Sequence, residues 1–116
     1  MLVKIDQPTP ELPVPDVEAA QAYYRDRLGF NVAWYNEDGQ IGAVSHGDCA
    51  LFFRKTDGPI AAGTFWVFCA DVDAAHDELR ERGAPITDPI SDKPWGMRQF
   101  TVEDPNGHRF YFFHDL

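Results

Sequence analysis

Two stretches of the chain carry apolar positions at helical spacing. Val17, Ala20, Tyr24 and Leu28 form one stripe, and Val72, Ala75 and Leu79 form a second. Separations of three, four and seven put such side chains on one helix face. Asp16 and Asp71 stand directly before the stripes, where a carboxylate accepts otherwise unpaired first-turn N–H groups. Gly29 and Gly83 follow as left-handed stops. The spacing predicts two helices of about three turns, each burying one face. Strand-like runs precede them, Thr9 to Val14 and Gly63 to Cys69. Further β-rich runs follow, broken at Asp38-Gly39, His46-Gly47-Asp48 and Asp104-Pro105-Asn106-Gly107.

The two halves repeat one another. Asp16-Val17-Glu18-Ala19-Ala20 recurs as Asp71-Val72-Asp73-Ala74-Ala75, an offset of 71 − 16 = 55, and Tyr24 then falls on Leu79. The last run of each half overlays Gly47 to Phe53 on Gly107 to Phe113, an offset of 107 − 47 = 60. Each half therefore reads strand, helix, strand, strand, strand, with Thr56 to Gly63 as the joint. The expected fold class is α+β: two tandem βαβββ modules, residues 1–56 and 63–116, forming a curved mixed sheet around a cleft. Neither half is large enough to hold a core alone, so residues 1–116 are expected to form one domain. The helices cover one sheet face and leave the other free for a ligand.

Composition narrows the partners. The 116 residues are 44% hydrophobic and 14% aromatic, ample for a packed interior. Ten Lys and Arg against nineteen Asp and Glu give a net charge of −9. That field repels phosphate backbones and anionic headgroups, which argues against nucleic acid and membrane as partners and favours cationic small molecules. The first residues contain no apolar stretch of signal-peptide length, and no run approaches a membrane span, so the expected location is the cytoplasm. Cys49 and Cys69 lie in apolar runs without disulfide or zinc spacing and read as two buried, reduced thiols.

Four strings carry a resemblance: Leu12-Pro13-Val14-Pro15-Asp16-Val17, Tyr23-Tyr24-Arg25-Asp26-Arg27-Leu28-Gly29-Phe30, Pro94-Trp95-Gly96-Met97-Arg98 and Glu103-Asp104-Pro105-Asn106-Gly107-His108. In this order and spacing the chain resembles the vicinal oxygen chelate superfamily of glyoxalase I, extradiol dioxygenases and bleomycin resistance proteins, and within it the last group. In metal-using members the resemblance places ligands seven positions before each capping Asp and on the last strand of each half. Here those positions hold Thr9, Thr64, Leu51 and Tyr111. Hydroxyls and a Leu do not make a divalent site, so neither metal nor cofactor is expected. His46, His76, His108 and His114 read as surface or terminal-strand histidines.

With Thr9, Thr64 and Tyr111 facing the cup, alternation adds Glu11, Cys49, Phe53, Trp66, Phe68, Arg109 and Phe113. Similarity to the bleomycin resistance group implies that Trp34 and Trp95 stack on the drug's bithiazole. The candidate ligand-binding set is thus Glu11, Trp34, Phe53, Trp66, Phe68, Trp95, Arg109 and Tyr111, with no catalytic residue. The implied function is metal-independent sequestration of an antibiotic or natural product by a bacterial homodimer, with N-terminal strand exchange hinged at Pro8 and Pro10. The ligand is aromatic, and its charge stays open: the acidic loop Asn36-Glu37-Asp38-Gly39 favours a cation, Arg98 and Arg109 a carboxylate. Two other readings stand beside it. One is a metal-dependent lyase or isomerase of glyoxalase type, or a dioxygenase-related enzyme, using Glu11, Tyr111 or His46 for proton transfer. The other is a dimeric interaction module without a small ligand.

Overall fold

The computed structural model describes residues 3–116. The first module runs β1 (Glu11–Val14), α1 (Val17–Leu28), β2 (Asn31–Asn36), β3 (Ile41–His46) and β4 (Cys49–Lys55). The second runs β5 (Thr64–Phe68), α2 (Val72–Glu81), β6 (Ile86–Asp92), β7 (Met97–Glu103) and β8 (Arg109–Asp115). Each module forms its own four-stranded mixed sheet, in the orders β1-β4-β3-β2 and β5-β8-β7-β6. In each, the first strand lies parallel to the last and the remaining pairs are antiparallel. This is the anticipated α+β class with two βαβββ modules.

The helices begin where their caps dictate. Asp16 accepts from the Ala19 N–H and Asp71 from the Ala74 N–H, both at 3.0 Å, satisfying donors that the first turn leaves free. Gly29 ends α1 at φ 75°, a left-handed conformation that costs glycine nothing. The stripes of both helices turn onto one core. Tyr24 sits at its centre, its ring 4.8 Å from Phe53 and 5.8 Å from Phe110, one from each sheet. Its hydroxyl donates to Asp104 Oδ2 at 2.6 Å, and Asp104 also accepts from the backbone N–H groups of Asn106 and His108. Burial first, and then that carboxylate, push the Tyr24 pKa far above the phenol's ordinary value.

The strand pairing corrects the sequence overlay by one residue. Glu11 pairs with Phe52, and its counterpart Trp66 pairs with Tyr111. The last strands therefore superpose at 111 − 52 = 59, not 60. Because side chains alternate, this single step exchanges the faces of β4. Phe53, expected in the cup, is fully buried on the helix-facing side. Leu51 lies on that side too, as does Cys49, half-buried against the core. The residue that faces away from the helices is Phe52, and it stands where Tyr111 stands in the second sheet.

Candidate functional site: the open faces of the two sheets

The faces turned away from the helices are built from rows of paired residues. Across the first sheet run Trp34, Ala43, Phe52 and Glu11, one from each strand. Trp34 reaches this row only through a bulge. Val32 pairs with Val44 on the helix side, and uninterrupted alternation would aim Trp34 the same way. The register shift between them pairs Trp34 with Ala43 instead. Gln21 of α1 secures the distortion, its Nε2 donating to the carbonyls of Trp34 at 2.8 Å and Ala43 at 3.1 Å. Gly42 makes room for it, since a Cβ there would stand 2.7 Å from Gln21 Nε2 and 2.8 Å from Val17. The indole of Trp34 meets Phe52 edge-on at 5.3 Å, over the buried Ala43.

The second sheet is more aromatic. One row reads Trp66, Tyr111, Thr101 and Asp88; the next reads Phe68, Phe113, Gln99 and Ser91. Trp66 lies 4.5 Å from Tyr111 and 5.8 Å from Phe113, and Phe68 lies 5.8 Å from Phe113. Trp95, in the turn between β6 and β7, donates its indole N–H to Gln99 Oε1 at 3.1 Å and so stands beside the second row. A polar cleft of about 320 Å³, lined by Thr87, Asp88, Thr101, Glu103, Arg109 and Tyr111, adjoins the first row. Trp34, Trp66, Phe68 and Trp95 are 44%, 54%, 60% and 58% exposed. Folded proteins seldom leave such large aromatic surface uncovered in groups without a use for it.

The charges on these faces are mostly committed. Glu11 accepts from Arg54 at 2.9 Å, and Asp88 from Lys93 at 2.7 Å. Arg109 stands 3.8 Å from Glu103, too far for a hydrogen bond. Arg98, weighed as a carboxylate holder, is elsewhere: it binds Asp73 of α2 and Asp92. Those hydrogen bonds hold the Asp73 carboxyl below its ordinary pKa.

Of the eight sequence candidates, the open faces bring together Glu11 and Trp34 on one sheet and Trp66, Phe68, Arg109 and Tyr111 on the other, with Trp95 adjacent. Phe53 drops out to the core. Phe52, Phe113 and Gln99 complete the arrangement; strand alternation had placed Phe113 there, and a correct register on β4 would have found Phe52. The positions that the family resemblance assigns to a metal do not fit one. Thr9 precedes β1 in an exposed segment, Leu51 faces the core, and Thr64 and Tyr111 offer only hydroxyls. Among the described residues, no three His, Cys, Asp or Glu side chains are placed to hold an ion. His108, read as a surface or strand-end histidine, is completely buried, Nδ1 accepting from the Gly63 N–H at 2.9 Å. Its Nε2 therefore carries the proton and donates to the Pro13 carbonyl at 2.8 Å.

Comparison with known proteins bears on this arrangement. The family model described as Glyoxalase/Bleomycin resistance protein/Dioxygenase superfamily matches residues 4–112. A bleomycin resistance protein of Geobacillus stearothermophilus is 27% identical over 130 residues, covering 95% of this chain and 97% of its own. The crystal structure of TioX from Micromonospora sp. ML1 is 25% identical with a TM-score of 0.81, covering 96% of this chain and 100% of that one. A bleomycin-binding protein from bleomycin-producing Streptomyces verticillus, solved with copper(II)-bleomycin, is 26% identical with a TM-score of 0.78, covering 96% and 97%.

Proposed function

The chain belongs to the glyoxalase/bleomycin resistance protein/dioxygenase superfamily, and from that premise we propose that it binds a flat aromatic small molecule by stacking and holds it unchanged. One observation carries this reading: four large aromatic side chains stand exposed on or beside the faces that the helices leave open. Stacking on such rings and removal of their apolar surface from water supply affinity without any reacting group. The relatives named for bleomycin resistance, and the relative solved with copper(II)-bleomycin, support a drug of that kind as ligand. The unsuitable donor set supports binding that does not depend on a metal held by the protein.

The unit that binds is a homodimer in this reading. Trp34 and Phe52 lie on one sheet and Trp66, Phe68 and Phe113 on the other, so each sheet offers half of a clamp. A second copy brings the first sheet of one chain against the second sheet of its partner. The exposed segment before β1, with Val3 and Ile5 uncovered, supports exchange of N-terminal strands between the copies. Residues 1–116 act as one domain, in the cytoplasm.

Titration of the purified protein with metal-free bleomycin in the presence of a chelator, followed by tryptophan fluorescence, tests the proposal. Saturable quenching at one drug per chain is expected, unchanged by the chelator. An unchanged signal up to high micromolar drug would retire the bleomycin-type reading. Activity that appears on adding nickel, zinc, iron or manganese would replace it with the enzymatic one.

A further inference from the structure

The second sheet orders its open face from apolar to polar along the strands. Two residues along from the row of Trp66, Tyr111 and Thr101, a third row pairs Thr64, Arg109 and Glu103. The step between rows is about 7 Å, the reach of two fused aromatic rings. Phe68 and Phe113 lie on the other side of the Trp66 row, so β8 presents Phe113, Tyr111 and Arg109 in succession on this face. A flat molecule lying over the aromatic rows therefore ends above Arg109.

Arg109 is the cation that the open faces leave uncommitted. Arg54 is hydrogen-bonded to Glu11, Lys93 to Asp88, and Arg98 to Asp73 and Asp92. The closest carboxylate oxygen to Arg109 among the described residues is Glu103 Oε2, 3.8 Å from its Nε. No hydrogen bond forms at that distance, and the Nη1 and Nη2 edge of the fork lies no closer to an acid. Arg109, Glu103 and Tyr111 line the polar cleft of about 320 Å³ together with Thr87, Thr101 and Asp88. Lys93 neutralises Asp88 at 2.7 Å, so that carboxylate does not set the sign of the cleft. What remains is a planar cationic fork beside a phenol hydroxyl, at the end of an aromatic platform.

We infer that the open face of the second sheet selects flat aromatic molecules that bear a carboxylate on the ring, with Arg109 as the residue that receives it. The inference rests on the stacking reading above and narrows its ligand class. An aryl carboxylate is coplanar with its ring, so a ring stacked over Trp66 and Tyr111 carries both oxygens toward Arg109 in one plane. Guanidinium N–H groups meet two such oxygens as a fork, an arrangement that a carboxamide or an ammonium group does not reproduce. A phosphate also suits a fork, but the net charge of −9 opposes a dianion more strongly than a monoanion.

Calorimetric titration of the full-length protein with 2-naphthoate, 2-naphthamide and 2-naphthylmethylammonium compares one ring carrying three different charges. Wild type is expected to bind naphthoate about 10- to 100-fold more tightly than naphthamide, with the ammonium weakest, as a charged hydrogen-bonded pair provides. Arg109→Gln is expected to bring naphthoate down to the naphthamide level while naphthamide itself is unmoved. Arg109→Lys, which keeps the charge without the fork, is expected to retain only part of the preference. No binding of any probe would overturn the stacking reading and the inference together. Equal binding of all three by wild type, or tightest binding of the ammonium, would overturn the inference alone and leave stacking in place. A preference that survives in Arg109→Gln, or an equal loss of all three probes there, would also overturn it. Should that exposed substitution unfold the chain by circular dichroism, the wild-type order of the probes and the Arg109→Lys variant still decide.

Discussion

Phe52 and Phe53 are chemically identical neighbours with opposite roles. Phe53 is sealed against Tyr24 beneath α1, and Phe52 stands on the other face of the same strand beneath the edge of Trp34. The contrast extends over the whole molecule: the helix-facing sides of both sheets converge on one core, and the open sides carry exposed aromatic rows. Core and candidate site are thus two faces of the same strands, and substitutions on one face should leave the property of the other intact.

The largest expected effect tests that separation directly. Phe53→Ala should cost about 3–5 kcal/mol in denaturant unfolding, the transfer of a buried ring plus the cavity it leaves. Phe52→Ala should stay within about 1 kcal/mol of wild type and instead weaken aromatic ligand binding. Equal destabilisation by the two would mean that the faces are not distinct. Next, Tyr24→Phe should cost about 1–3 kcal/mol, because it leaves the buried Asp104 carboxylate without its phenol donor. On the open face, Trp66→Ala or Trp95→Ala should weaken drug binding by about 1–3 kcal/mol in the fluorescence titration, with the unfolding midpoint unmoved. An unmoved affinity would remove that residue from the site.

The smallest effect concerns pH. Asp73 has its pKa lowered by Arg98, so it contributes stability that is present above the unfolded carboxylate value of about 4 and is lost as pH falls through the lower folded value. Asp73→Asn should flatten that part of the acid-unfolding curve and leave stability at neutral pH nearly unchanged, as befits an exposed pair.

Local signals in the sequence were sufficient for the helices. Asp16, Asp71 and the apolar stripes act within a few residues, and the turns and the joint follow from Gly and Pro. Both last strands carry a Phe-Phe pair, and matching those pairs anchors the overlay one residue out and so inverts the β4 face. The informative constraint was nonlocal, the parallel pairing of β1 with β4, which puts Leu12 beside Phe53 in the core. Trp34 shows a different limit. Similarity to relatives pointed to it, but simple alternation from Val32 would have turned it inward; the bulge and Gln21 turn it out. The burial of His108 likewise depends on Pro13, 95 residues away, which no local pattern announces.

The hydrogen bond from Tyr24 to Asp104 spans 80 positions, and this makes the protein divisible in a particular way. Cutting the joint at residues 57–62 would produce two fragments, each holding the group that satisfies the other's buried polar atom. Such halves are poor independent folders but good mutual templates: expressed as separate polypeptides, they should reassociate, with the phenol and the carboxylate acting as lock and key of a split protein.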